Sequence, residues 1–161
     1  MASTEAAIID RITALVSDLT PLSDVGIPFR SSLNEGPANF IDQCEAQPAG
    51  CLRRFQVRTD GSEDPPEVSD TLVDLRHFTV VVLVAYPTTG RWGTKGAVAR
   101  DRIIDEDWGR INGTSGIGIY SRSQFASTYD CTPLGAEKTI IRGTACDFLE
   151  VRARFSYYRA V

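Results

Sequence analysis

The sequence has one histidine, His77, and two lysines, Lys95 and Lys138. A single histidine cannot supply a two-histidine metal site. No G-x-S-x-G, P-loop or G-x-G-x-x-G pattern occurs, so the common hydrolase, nucleotide and dinucleotide chemistries lack their loops and nucleophile turns. The four cysteines, Cys44, Cys51, Cys131 and Cys146, include no C-x-x-C pair, which removes the zinc-ribbon and thioredoxin spacings. No run is long and apolar enough to cross a membrane, and residues 1–20 form an amphipathic pattern with acids in it, unlike a secretory leader. Strong positive charge is also missing. The net charge of -4 and pI near 5.0 argue against an electrostatically driven nucleic-acid binder. The expectation is a cytoplasmically made protein with reduced thiols, no membrane partner, no cofactor and no resident metal.

What is present is one long β-branched run, LRHFTVVVLVAY, over residues 75–86. It is too short for a bilayer and rich in Val, so it reads as the central strand of a sheet. Alternation places Phe78, Val80, Val82, Val84 and Tyr86 on one face and His77, Thr79, Val81, Leu83 and Ala85 on the other. Both faces are apolar, and both need cover: one from the chain's own helices, the other from a second helix, a loop or another subunit.

The N-terminal segment spaces Ile8, Ile12, Leu15 and Leu19 as one stripe of a helix, with Ser3 or Thr4 as its cap and Glu5 in its first turn. A Gly-, Pro- and Asn-rich stretch follows, with an edge strand expected at residues 38–42. Residues 52–58 alternate as a strand that places Arg53, Phe55 and Val57 on one side and a solvated, basic face on the other. Residues 96–112 carry Ala97, Ile104, Trp108 and Ile111 in one helical column beside Ala99 and Ile103. A strand is expected at 138–142, and a longer one at 145–158 with a wet side formed by Glu150, Arg152, Arg154 and Ser156. At 161 residues the chain suits one domain, 1–161. The element order predicts an α+β fold with a mainly antiparallel sheet and helices packed on one face.

Two segments read as candidate partner interfaces. Residues 59–74 hold Asp60, Glu63, Asp64 and Glu67 with no basic residue among them, and Pro65-Pro66 opposes helix and ladder alike; this predicts an extended acidic loop that orders on a partner. Residues 87–95 form a Gly-rich turn presenting Arg91 and Trp92, a pairing common at interface hot spots. Asp101 and Asp105, one helical turn apart, read as a solvated face rather than a metal site. A Cys–His nucleophilic pair requires one of the four cysteines beside His77.

In its order of elements the chain resembles the tail terminator (tail completion) proteins of long-tailed bacteriophages. The resemblance is carried by the helix AAIIDRITALVSDL, the Pro/Gly-rich lead into a strand, the central strand with its turn TVVVLVAYP, the following helix, and the long last strand DFLEVRARFSYY. It implies a tail-terminator-like fold and a non-enzymatic virion structural protein. Such a protein forms a homohexamer ring that caps the tail tube, stops tube polymerisation and joins it to the head connector at the neck. Its partners are then itself, the tail tube protein and the head–tail connector, with DNA passing through the ring lumen and assembly in the host cytoplasm. The acidic insert and the Gly/Ser-rich residues 113–128 depart from the pattern. Within the same class the alternative is another neck, head-closure or minor tail protein. From a different class, it is a small cytoplasmic enzyme or ligand-binding protein with a pocket near His77.

Overall fold

A computed structural model describes residues 5–19, 27–32, 37–63, 73–88, 96–112 and 131–160. Three helices, α1 (Glu5–Ser17), α2 (Pro37–Ala46) and α3 (Gly96–Asn112), accompany five strands: β1 (Arg30–Ser31), β2 (Arg54–Glu63), β3 (Val73–Pro87), β4 (Cys131–Arg142) and β5 (Cys146–Ala160). The strands form one sheet in the order β1-β2-β3-β5-β4. β1 runs parallel to β2, and the other three pairings are antiparallel, so the α+β fold is built on a mixed sheet.

The Val-rich run lies at the sheet centre as expected. It is flanked by β2 and β5, and its register with β5 is unbroken from Val73↔Ala160 to Pro87↔Cys146. One face gathers Phe78, Val80, Val82, Val84 and Tyr86 with Phe55 and Val57 of β2 and Leu149, Val151 and Phe155 of β5. Onto it α1 sets Ile8, Ile12 and Val16, and α3 sets Ile103, Ile104 and Ile111. α1 packs over β1 and β2, and α3 over β5, so the two helices divide this face between them. Each such side chain taken from water contributes roughly 1.5–3 kcal/mol, which is why these stripes decide where the helices dock. Phe78 and Phe155 stack with centroids 5.8 Å apart, extending the core along the strands.

The opposite face holds the first correction. Residues 38–42 are helical, within α2, and this helix lies across the second face rather than at a sheet edge. Phe40 and Cys44, one turn apart, pack on Val81, Leu83, Ala85, Cys146 and Phe148. Phe40 meets Phe148 edge to face at 6.1 Å. Helices therefore cover both faces, not one. Pro37 occupies the first position of α2, where its missing N–H costs nothing. The far end of the helix is tied down by Glu45, which accepts hydrogen bonds from the backbone N–H groups of Ala145 (2.6 Å) and Cys146 (3.4 Å) in the β4–β5 turn. A Cβ at Gly143 would overlap both the Glu45 carboxylate and the Cys146 carbonyl oxygen, so glycine is required there.

Strand ends differ from expectation as well. β2 begins at Arg54 and continues to Glu63, and β3 begins at Val73, so both ends of the expected acidic loop are ladder. The β-branched neighbours across the ladder, Val80 and Val81, extend pairing into a polar sequence that local preference alone assigns to a loop. β4 starts at Cys131, well before the strand expected at 138–142. The helix at 96–112 agrees with the sequence reading. The Gly/Ser-rich residues 113–128 lie outside the described residues.

Candidate functional site

Beyond α2 the second sheet face changes from apolar to charged, and the register shows how. Arg54 and Ala85, Phe148 and Ile141 share one cross-strand row; Gln56, Leu83, Glu150 and Thr139 share the next; Arg58, Val81, Arg152 and Glu137 share the third. α2 covers the middle of these rows, packing on Ala85, Phe148, Leu83 and Val81, while Arg54 and Thr139 at the row ends and Arg152 and Glu137 in the third row are exposed and Arg58 is half-buried. Arg152 Nε donates to Glu150 Oε1 at 2.9 Å, and its Nη1 reaches Asp60 Oδ2 at 3.5 Å across β3. Arg58 Nη1 donates to the Thr59 carbonyl at 3.2 Å, while its Nε is buried with no partner among the described residues. Burial, then the neighbouring Arg152 charge, lowers the Arg58 pKa from its ordinary value. The solvated basic face expected for β2 is only partly that, because Gln56 between the two arginines is buried.

β2 and β4 are interrupted at the same level of the sheet. β2 shifts register between Thr59 and Glu63, and β4 between Pro133 and Gly135, where Leu134 is left half-exposed and Gly135 takes φ 138. Bulges bend and twist the strands that carry them. Between them lies an open depression of about 460 Å³ lined by Asp60, Thr79, Glu137, Arg152 and Arg154 together with the segment Leu134, Gly135 and Ala136. Its charged groups are two guanidiniums and two carboxylates, beside the Thr79 hydroxyl, a set with the chemistry to pair with charged side chains of either sign.

Of the residues singled out in the sequence, Asp60 lies in this region and pairs with Arg152. Glu63 ends β2 opposite Phe78. Asp64, Glu67, Arg91 and Trp92 lie outside the described residues. His77 sits on the same face, opposite Ser156, but does not line the depression. Cys44, Cys51 and Cys146 cluster at the other end of the sheet, where Cys146 pairs with Pro87. His77 is ten positions along β3 from that pairing, roughly 33 Å at strand rise, so none of these three thiols meets it. Asp101 and Asp105 on α3 engage β4: Asp101 takes a bidentate pair from Arg142 (2.7 and 2.9 Å) and Asp105 one bond from Lys138 (2.7 Å). The hydrogen bonds from Arg142 hold the Asp101 carboxyl below its usual range.

Sequence reading missed a buried network on the face covered by α1 and α3. Arg53, fully buried, donates from Nε and Nη2 to the two carboxylate oxygens of Asp107 at 2.9 and 3.0 Å. The Tyr86 hydroxyl donates to Asp107 Oδ2 at 2.6 Å, Arg53 Nη1 donates to the Ile27 carbonyl at 2.9 Å, and the guanidinium lies 5.4 Å from the Phe29 ring centroid. Burial raises the Asp107 pKa against the opposing pull of Arg53 and Tyr86, and burial beside the Asp107 charge raises that of Tyr86. Exposures of 0%, 1% and 0% for Arg53, Asp107 and Tyr86 leave no approach for a substrate, so the network positions structure. It holds the turn before β2, where Arg53 adopts φ 58, against α3. The signal was present: an Arg in phase with Phe55 and Val57, and an Asp beside Trp108 in the apolar column of α3.

The chain matches no protein-family model, and no curated protein matches it. Among the described residues no helix is long and apolar enough to cross a membrane, and no group of His, Cys, Asp and Glu is placed to hold a metal ion.

Proposed function

We propose that this protein is a structural assembly component of the phage tail-terminator kind, forming a ring that caps the tail tube, stops its polymerisation and joins it to the head connector. The observation that carries the reading is the open, mixed-charge sheet face around Arg58, Arg152, Arg154, Asp60 and Glu137, set between the bulges of β2 and β4. Charge of both signs on an exposed ladder suits docking against proteins of complementary pattern, and the order helix, strand, helix, strands, helix, strands accommodates the resemblance in the sequence. The Arg53–Asp107–Tyr86 network, by contrast, is fully buried, its three residues at most 1% exposed. In this reading Asp60, Glu63, Asp64 and Glu67 belong to the docking rim, with Arg91 and Trp92 as a further contact.

Native mass measurement and negative-stain imaging of the purified protein test it, together with tail tube protein polymerised in its presence. Rings, and tubes of arrested length, are the expected result. A monomer at every concentration that leaves tube length unchanged overturns the proposal.

A further inference from the structure

Of the two edges of the sheet, β4 is open. Among the described residues no strand pairs with its outer side, and the outward N–H and C=O groups of residues 135–142 make no hydrogen bond with a described residue. Gly135, Glu137, Lys138, Thr139 and Arg142 are exposed, and Ala136, Ile140 and Ile141 are half-buried. The opposite edge is closed: β1 lies on β2, and Gln56 and Val57 beyond it are buried. From its bulge onward β4 keeps a regular register with β5, Gly135↔Arg154 to Arg142↔Asp147. Such a row of unpaired backbone groups templates pairing with another strand unless proline, a bulge or a free charge blunts it. Pro133 and the bulge lie at one end only, and the two cations of the row are not free: Asp105 holds Lys138, and Asp101 and Asp147 hold Arg142.

An open edge with no open counterpart on the same molecule meets its own copy through a two-fold axis, the strands running antiparallel with like faces aligned. Charge selects where that axis passes. Centred on Glu137 or Lys138 it sets that residue against itself, and on Ile140 it sets Lys138 against Arg142; centred on Ala136 or Ile141 it pairs only residues 135–137 or 140–142. Centred on Thr139 it pairs residues 136–142 with no like charges opposite: Thr139 faces Thr139, Lys138 faces Ile140, Glu137 faces Ile141 and Ala136 faces Arg142. Threonines directly opposite one another hydrogen-bond across a ladder, and the two half-buried isoleucines gain cover from the side chains facing them. We infer that two copies of this chain pair β4 to β4, antiparallel about an axis through Thr139, and so join their sheets into one. α3 and its copy flank the junction on one face, where Asp101 and Asp105 already brace β4; the other face carries two mixed-charge depressions on the same side. This contact does not depend on the ring reading, and the two are tested apart.

Thr139 faces itself, so a charge of either sign there is repulsive. Thr139→Glu and Thr139→Lys are each expected to raise the dimer Kd roughly fivefold or more, whereas an equimolar mixture of the two variants forms heterodimers at least as tight as wild type. Thr139 is exposed, so both variants should fold; circular dichroism verifies it, and sedimentation and native mass spectrometry read the assembly. As a second readout, Thr139→Cys should give a covalent dimer with oxidised glutathione, because directly opposite residues stand about 4.5–5.5 Å apart at Cα, within disulfide reach. Glu137→Cys, which faces Ile141 and stands four positions from its own copy, should give little. Wild-type dimers that both charged variants leave intact, or equal cross-linking from the two cysteine variants, overturn the junction. Rings that neither charge disturbs overturn it too and leave the ring reading standing; dimers that respond as expected but never close into rings do the reverse. A monomer at every concentration overturns both.

Discussion

Arg53 is a cation placed where the sequence leads one to expect an apolar side chain, and the structure keeps it there by giving its donors partners: two carboxylate oxygens and a carbonyl. Removing one member of a buried pair leaves the other charged and unsolvated, which costs more than the pair itself contributes. Asp107→Asn is therefore expected to destabilise the protein by about 3 kcal/mol. Tyr86→Phe, which deletes one hydroxyl and leaves the ion pair whole, should cost only about 1–2 kcal/mol. Urea unfolding of the two variants and of the double variant checks this. Because both changes touch Asp107, their effects should not add. Equal losses from the two single changes would mean that the tyrosine hydroxyl, not the guanidinium, anchors the carboxylate.

At the scale of elements, α2 is the segment that local preference obscured. Its surroundings are Gly- and Pro-rich, its apolar content is small, and only the spacing of Phe40, Ile41 and Cys44 behind Pro37 marks it as a helix. α1, α3 and the two long central strands were legible because their periodicity is sustained over many residues. β4 and the far half of β2 were not, since their strand character is imposed by the neighbours that pair with them. The polar face could be anticipated from β5, yet its alignment with Arg58 and Glu137 needed the register. α2 also buries Cys44, Cys51 and Cys146 as free thiols, with the Cys51 thiol donating to the Gln47 carbonyl at 3.0 Å. Burial raises the pKa of Cys44, and pushes that of Cys146 from 9.0 up to about 12. At pH 8 these thiols should react with iodoacetamide slowly in the native protein and readily in denaturant, as mapped by mass spectrometry. Their contribution to stability is complete below the unfolded-state pKa of 9.0 and declines as pH rises from there toward about 12, because the unfolded chain releases the proton first. Melting temperature should accordingly fall across that window, and less steeply in Cys146→Ala. An unchanged slope in that variant would assign the alkaline loss to other groups.

At the scale of the whole molecule, helices on both faces hold one end of a long sheet while the other end presents charge. The two halves are made of the same strands, so the charged face is continuous with the core without any loop between them. The central pair has a further consequence. β3 lies between β2, its neighbour in sequence, and β5, which the chain reaches only after α3 and β4. A ribosome therefore releases the most apolar strand of the protein well before the strand that completes it, and β3 must wait with one side uncovered. Closing so distant a pairing is slow, on the order of milliseconds to seconds for sheets of this kind. Refolding from denaturant should lose yield as protein concentration rises, since waiting chains meet one another, and a synthetic β5 peptide added in trans should worsen or rescue that yield depending on whether it reaches β3 first. Concentration-independent recovery would mean that α1 and α2 shelter the strand before β5 arrives. The lateness of one strand in translation thus sets when, and not only whether, this molecule becomes safe from its own copies.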